Sequence, residues 1–263
     1  MPLRPQGSRL PLCCVHPASG SAYVYSRLAA LLGEDQPVYG LEAPGLEGDR
    51  EPCTSIDALS AAHRESLRAL PGDGAAALLG WSMGGVVAYD LAGRLQAEGV
   101  AVPLVILVDA PVPQPDGIRD EREVVEHFLA DLVGGGPLPA EAREAVDRLG
   151  DVPARLLDHL VRAAIIPPEL DAEVLARRYA VFRANSMALT RHRLTVGWPG
   201  RPVLVRASET PAELMRWREV VGELTEHTVW AHHYSIFSGP GLEALAGIVR
   251  QHLDEVQPRG SAA

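Results

Sequence analysis

The 263-residue chain contains no lysine; all 24 of its basic residues are arginines. Schiff-base chemistry, pyridoxal phosphate attachment and a Walker-type phosphate loop each need that amine, so all three are excluded. Cysteine is scarce as well. Cys13, Cys14 and Cys53 form no disulfide framework, and the adjacent pair lies in an apolar run. They read as buried thiols in a reducing compartment. No C-x-x-C or H-E-x-x-H spacing occurs, so the sequence offers no metal site. Positive charge is in deficit: the net charge of −10 does not suit a nucleic-acid partner. No apolar run of about 18 residues is present to span a membrane. The opening MPLRPQGSRL lacks the apolar stretch of a secretory signal, and a cytoplasmic setting is expected.

What is present is ordinary for a globular chain with one large core, and residues 1–263 read as a single domain. Short apolar runs bounded by Gly, Pro and acidic residues recur at 9–16, 37–42, 75–80, 103–110, 202–208 and 227–231. Such runs suit parallel strands covered on both faces. Between them lie helical patterns. Residues 22–32 place Val24, Leu28, Leu31 and Leu32 on one side, with Gly33 as a stop. Ser55 caps a helix over 56–70 with Asp57 in its first turn. Further helices are predicted over 83–98 and 241–256. The alternation means an α/β fold, a mostly parallel twisted sheet flanked by helices.

One connection, from Asp109 to Pro202, is far longer than a crossover helix needs. It carries helical spacing over 120–133, 153–164 and 169–190, with GGGP (134–137) as a hinge. This reads as a helical lid, about 112–185, inserted between the fourth and fifth predicted strands, with 177–190 assignable to the body instead. The tail 257–263 is expected to be disordered.

The strongest chemical signal is LLGWSMGGVVAYD (78–90). A strand ends at Gly80, a helix starts near Met83, and Ser82 stands between them: G-x-S-x-G in its strand–turn–helix context. The turn holds the Ser82 hydroxyl above the sheet, Gly80 and Gly84 let strand and helix pass closely, and the helix N-terminus favours a developing oxyanion. Trp81 and Gly85 complete this nucleophile elbow.

With CCVHPASGSAYVYSRLA (13–29) and VYGLEAPGLEG (38–48), the GWSMGG segment resembles the thioesterase domains that end nonribosomal peptide and polyketide assembly lines. The resemblance runs from about Leu10 to about Leu253 and implies the α/β-hydrolase fold. Trp81 before the serine and the His-Pro-Ala-x-Gly loop look more like a chain-terminating domain than an editing thioesterase. Editing enzymes usually show histidine before the serine and a PGR-type motif where this chain has APGLEG (43–48).

An oxyanion hole needs two converging N–H groups. Met83, next after the nucleophile, is expected to supply one; by the resemblance Ala18 supplies the other, and His16 is a structural loop residue. Asp109 ends the strand beside that of Ser82, where ligand chemistry gathers in open α/β sheets. By the resemblance, chain-terminating thioesterases keep their acid there, while editing ones place it after the next strand, where this chain offers Glu209. The base follows the last strand, in AHHYSIF (231–237), and the chain order Ser…Asp…His is satisfied. Aligned with a Gly-Asp-His-aromatic pattern, His233 is the base, and His232 stands where the family has aspartate. A shift of one residue would exchange them, but adjacent histidines cannot both point the same way.

The implied catalytic set is Ser82, Asp109 and His233. The implied substrate is an acyl or peptidyl chain on the phosphopantetheine arm of a carrier protein, released as an acid or a ring, without metal or redox cofactor. A type II editing thioesterase and a carboxylesterase or lipase remain as alternatives. A carrier-binding module with a dead triad is disfavoured by the three triad residue types in order.

Overall fold

The computed structural model describes residues 1–48, 50–70, 74–113, 120–135, 140, 144, 172–195 and 197–257. The helix predicted over 153–164, the second half of the GGGP hinge and the tail beyond Gln257 lie outside these residues, and the lid prediction is described only in part.

Seven strands form one sheet: β1 (Pro2–Arg4), β2 (Leu12–Val15), β3 (Val38–Leu41), β4 (Ala77–Trp81), β5 (Val105–Val108), β6 (Val203–Ala207) and β7 (Thr225–Val229). Their order is β1-β3-β2-β4-β5-β6-β7. All neighbours run parallel except β1, which pairs antiparallel with β3. The fold is therefore α/β with a mostly parallel sheet, and six strands stand where apolar runs predict them. β1 was not predicted, because three residues carry no periodicity. The last strand starts and ends two residues before its prediction. β7 is an edge strand with alternating burial, so it lacks the continuous apolar run that marks the central strands.

Strands β2, β4 and β5 are buried along their whole length. They divide the core into two apolar layers, one on each face of the sheet. Cys14 lies in one layer and Cys13 in the other, as alternation along a strand requires. Both thiols are fully buried, and burial pushes that of Cys13 up to about 12.

Helix α1 (Ser26–Leu31) is shorter than predicted, because residues Ala22–Tyr25 form a tighter 3₁₀ turn. In that turn the Tyr25 hydroxyl donates to Val15 O at 2.6 Å and accepts from Trp81 N at 2.9 Å. α2 (Ile56–Arg68) starts at the expected Ser55 cap, whose Oγ accepts from Ala58 N at 3.1 Å. α3 (Met83–Ala97) follows Ser82 directly, with Val86, Val87, Leu91 and Leu95 buried. The long connection holds α4 (Glu121–Leu132), capped by Asp120, and α5 (Ala172–Arg191). Phe128 of α4 stacks edge-on with Tyr179 and Phe182 of α5 at 5.2 and 5.4 Å. The short helix α6 (Trp217–Val221) precedes β7, and α7 (Gly239–Val256) closes the chain. No helix among the described residues is long and apolar enough to cross a membrane.

Candidate active site

The parallel register brings distant residues to one edge. Val15 pairs with Gly80, Trp81 with Val108, and Val108 with Val205. The carboxyl ends of β2, β4, β5 and β6 are therefore level, and the loops leaving them meet. The chain crosses from β3 back over β2 to β4, so the crevice lies at the point where strand order reverses, the usual ligand position in such sheets.

At the end of β4, Ser82 has φ 56° and ψ −130°. A non-glycine residue with positive φ is strained, and the surroundings hold it there. A Cβ on Gly80 would lie 2.0 Å from Gly84 O, and one on Gly84 would lie 2.4 Å from Val15 O. Only glycine permits that approach of β4, α3 and β2. Ser82 Oγ makes no hydrogen bond among the described residues, and the residue lines a cavity of about 710 Å³ with Ala18, Met83 and His233. A second cavity, of about 590 Å³, is lined by Ser82, Asp109, Thr210 and His233. The two adjoin at Ser82 and His233.

Asp109, at the end of β5, also has a positive φ of 43° and is fully buried. A buried carboxylate must be hydrogen-bonded. Oδ1 accepts from Ala207 N at 2.9 Å, and Oδ2 accepts from Thr210 Oγ1 at 2.7 Å and faces His233 Nδ1 at 2.6 Å. His233 reaches Asp109 from beyond β7, across β6. Its ring lies over the indole of Trp81, with centroids 4.9 Å apart and planes 34° from parallel. Adjacent His232 turns away. It is exposed, and its Nδ1 accepts from Tyr234 N and Ser235 N at 3.3 and 3.4 Å. Glu209 is also exposed; its backbone N–H donates to Ala231 O.

The HPASG loop leaves β2 beside the elbow. Ala18 and Met83 line the larger cavity, and neither backbone N–H has an acceptor among the described residues. Asn185, buried in α5, donates Nδ2 to Ala18 O at 3.0 Å. Sequence reasoning did not single out Thr210, Tyr25 or Asn185. Thr210 lies in the segment searched for an acid, but a hydroxyl that serves a carboxylate has no signature in sequence. Across the cavity α4 contributes Asp131, whose carboxyl is pushed up to about 6 by burial, against the pull of His233.

The family model described as the thioesterase domain matches residues 10–253, nearly the whole chain. The chain belongs to the thioesterase-domain family. Membership implies a hydrolase acting on thioesters. Among curated proteins, this thioesterase domain is similar to a dimodular nonribosomal peptide synthase from Bacillus subtilis (strain 168), 35% identical over 153 residues. The match covers 58% of this chain and 6% of the synthase, so the domain spans a small part of its relative. Among solved structures it superposes on a holo four-domain nonribosomal peptide synthetase bound to AMP and glycine. That likeness has a TM-score of 0.83 at 23% identity, over 96% of this chain and 20% of the synthetase. A thioesterase domain named NocB, in covalent complex with a fluorophosphonate nocardicin G analogue, gives 0.69 at 23% identity, over 96% and 98% of the two chains. At such identities the structural likeness speaks for the fold.

Proposed function

We propose that this thioesterase domain is a serine enzyme that releases an acyl or peptidyl chain from the phosphopantetheine arm of a carrier protein. The observation that carries the reading is the 2.6 Å contact between His233 Nδ1 and Asp109 Oδ2, with Ser82 strained at the edge of the smaller cavity, which all three residues line. Asp109 holds the proton of His233 on Nδ1, which leaves Nε2 free to accept the proton of Ser82. Ser82 Oγ then bonds to the thioester carbon. The Ala18 and Met83 amides stabilise the oxyanion, the carbon–sulfur bond breaks, and the proton passes from His233 to the departing thiol. The acyl-Ser82 ester is finally attacked by water, giving an acid, or by a nucleophile within the chain, giving a ring. The scheme needs no metal or redox cofactor.

Two cavities meeting at Ser82 and His233 suit this chemistry, since a thioester has an acyl side and a thiol side that must both be housed. The peptide synthases among the relatives support a carrier-bound substrate. Intact-mass measurement after mixing with a hexanoyl-pantetheine thioester tests the reading. The wild-type chain should gain one acyl group, and Ser82→Ala none; an adduct that persists in Ser82→Ala would sink the mechanism.

A further inference from the structure

The loop after β2 holds a group that this mechanism leaves unused. His16 is fully buried, and its Nδ1 lies 2.8 Å from Pro17 O. A carbonyl only accepts, so Nδ1 carries the proton and the ring is the neutral Nδ1–H tautomer. Burial keeps it neutral by pushing its pKa down to about 4. The other ring nitrogen is buried and has no partner among the described residues. The ring packs edge-on against that of His63 at 5.1 Å, whose own Nε2 is equally unpartnered among the described residues. The contact to Pro17 O is thus the polar bond that orients the His16 ring.

That carbonyl belongs to the same peptide unit as the Ala18 N–H. The unit is planar and trans, so its C=O and N–H point in opposite directions, and holding one aims the other. Pro17 O also accepts from Gly20 N at 2.9 Å, closing the turn, while Asn185 holds the next carbonyl. We propose that His16 is a positioning residue for the oxyanion hole: its Nδ1–H holds the Pro17 carbonyl inward, so that the Ala18 N–H faces the cavity at Ser82. This rests on the acyl-Ser82 reading above.

The two bonds to Pro17 O share the task, so removing one loosens the peptide without releasing it. The test compares His16→Leu, which cannot donate, with His16→Asn, whose Nδ2 stands at the same branch position as the imidazole Nδ1. With the hexanoyl-pantetheine thioester, His16→Leu should lower kcat about tenfold, less than loss of a direct oxyanion donor, with KM within about twofold. His16→Asn should keep at least about a third of the wild-type kcat. An alkylboronic acid that forms a tetrahedral adduct on Ser82 should bind His16→Leu about tenfold more weakly and His16→Asn nearly as well as wild type. Equal kcat in the two variants, whether unchanged or equally reduced, would overturn the proposal, since packing alone does not distinguish them by a donor. If His16→Leu does not fold, His16→Gln replaces it, with its amide one bond too far out. Crystal structures of the variants read the peptide directly. A Pro17–Ala18 unit rotated or doubled in the non-donating variant supports the proposal, and an unchanged one refutes it. Absence of wild-type turnover would count against the thioesterase mechanism, while the peptide orientation would still decide the role of His16.

Discussion

Asp109 is the residue on which the geometry converges. It is buried and strained, and it meets three donors that come from two different strand ends. Asp109→Asn keeps the shape but lets His233 take the wrong tautomer, so kcat should fall by about 10⁴. Thr210→Val removes one hydrogen bond to the charged oxygen that faces His233. A loss of about 1.4 kcal/mol of orientation corresponds to about tenfold in kcat, with KM little changed. Steady-state kinetics on a pantetheine thioester checks both, and full activity in Thr210→Val would show that Ala207 N alone suffices. His233→Ala should abolish acylation while His232→Ala leaves it intact; the reverse would exchange the roles of the two histidines. Sequence alone leaves that exchange open, because both registers place a histidine after the last strand. Only the fold shows one ring on Asp109 and the other on the backbone of Tyr234 and Ser235.

At the scale of elements, the elbow depends on the near-contact of β4, α3 and β2. A methyl on Gly84 would meet the backbone carbonyls of Val15 and His16 at 2.4 and 2.7 Å, and backbone cannot move aside cheaply. Gly84→Ala should therefore cost about 3 kcal/mol or more in urea unfolding. A second junction lies on α3 itself. Asp90 is fully buried, accepts from Ser60 Oγ of α2 at 2.7 Å, and pairs with Arg94 Nε at 2.6 Å. Asp90→Ala would strand Ser60 and weaken the hold on Arg94, costing about 3 kcal/mol. A midpoint unchanged in denaturant would show that the junction is solvated. Most helices were legible from apolar spacing and caps. The 3₁₀ turn at Ala22–Tyr25 was not, because its shape depends on where the Tyr25 hydroxyl finds partners, on β2 and β4.

For the whole molecule, buried histidines tie stability to pH. His16 and His63 are held neutral by burial, with pKa values pushed to about 4 and well below the ordinary value. Burial also lowers those of His192 and His227. The unfolded chain binds these protons first, so stability is full above about pH 6.5 and falls as pH drops toward 4. Each fully buried histidine contributes a slope of up to about 1.4 kcal/mol per pH unit in that window. Asp131 works the other way between about 4 and 6, since burial raises its pKa, but it is one partly exposed group against several. Urea midpoints should therefore fall between pH 7 and pH 5, and less steeply in His63→Phe. A flat profile would mean that the two rings reach water.

Consecutive residues were enough to give the α/β class, six of the seven strands and the chemical types at the site. Apolar runs, caps and the glycine spacing around Ser82 are local, and local order is written in consecutive residues. How those strands and side chains meet is settled by the folded chain. Strand order sets the HPASG loop beside the elbow, though about sixty residues separate them in the chain. The fold carries His233 across β6 to Asp109, supplies Thr210 and Asn185 from segments with no motif, and turns His16 from a loop residue into a brace. These are pairings between residues far apart in the chain, and no local pattern encodes which buried carbonyl or carboxylate a given donor will meet.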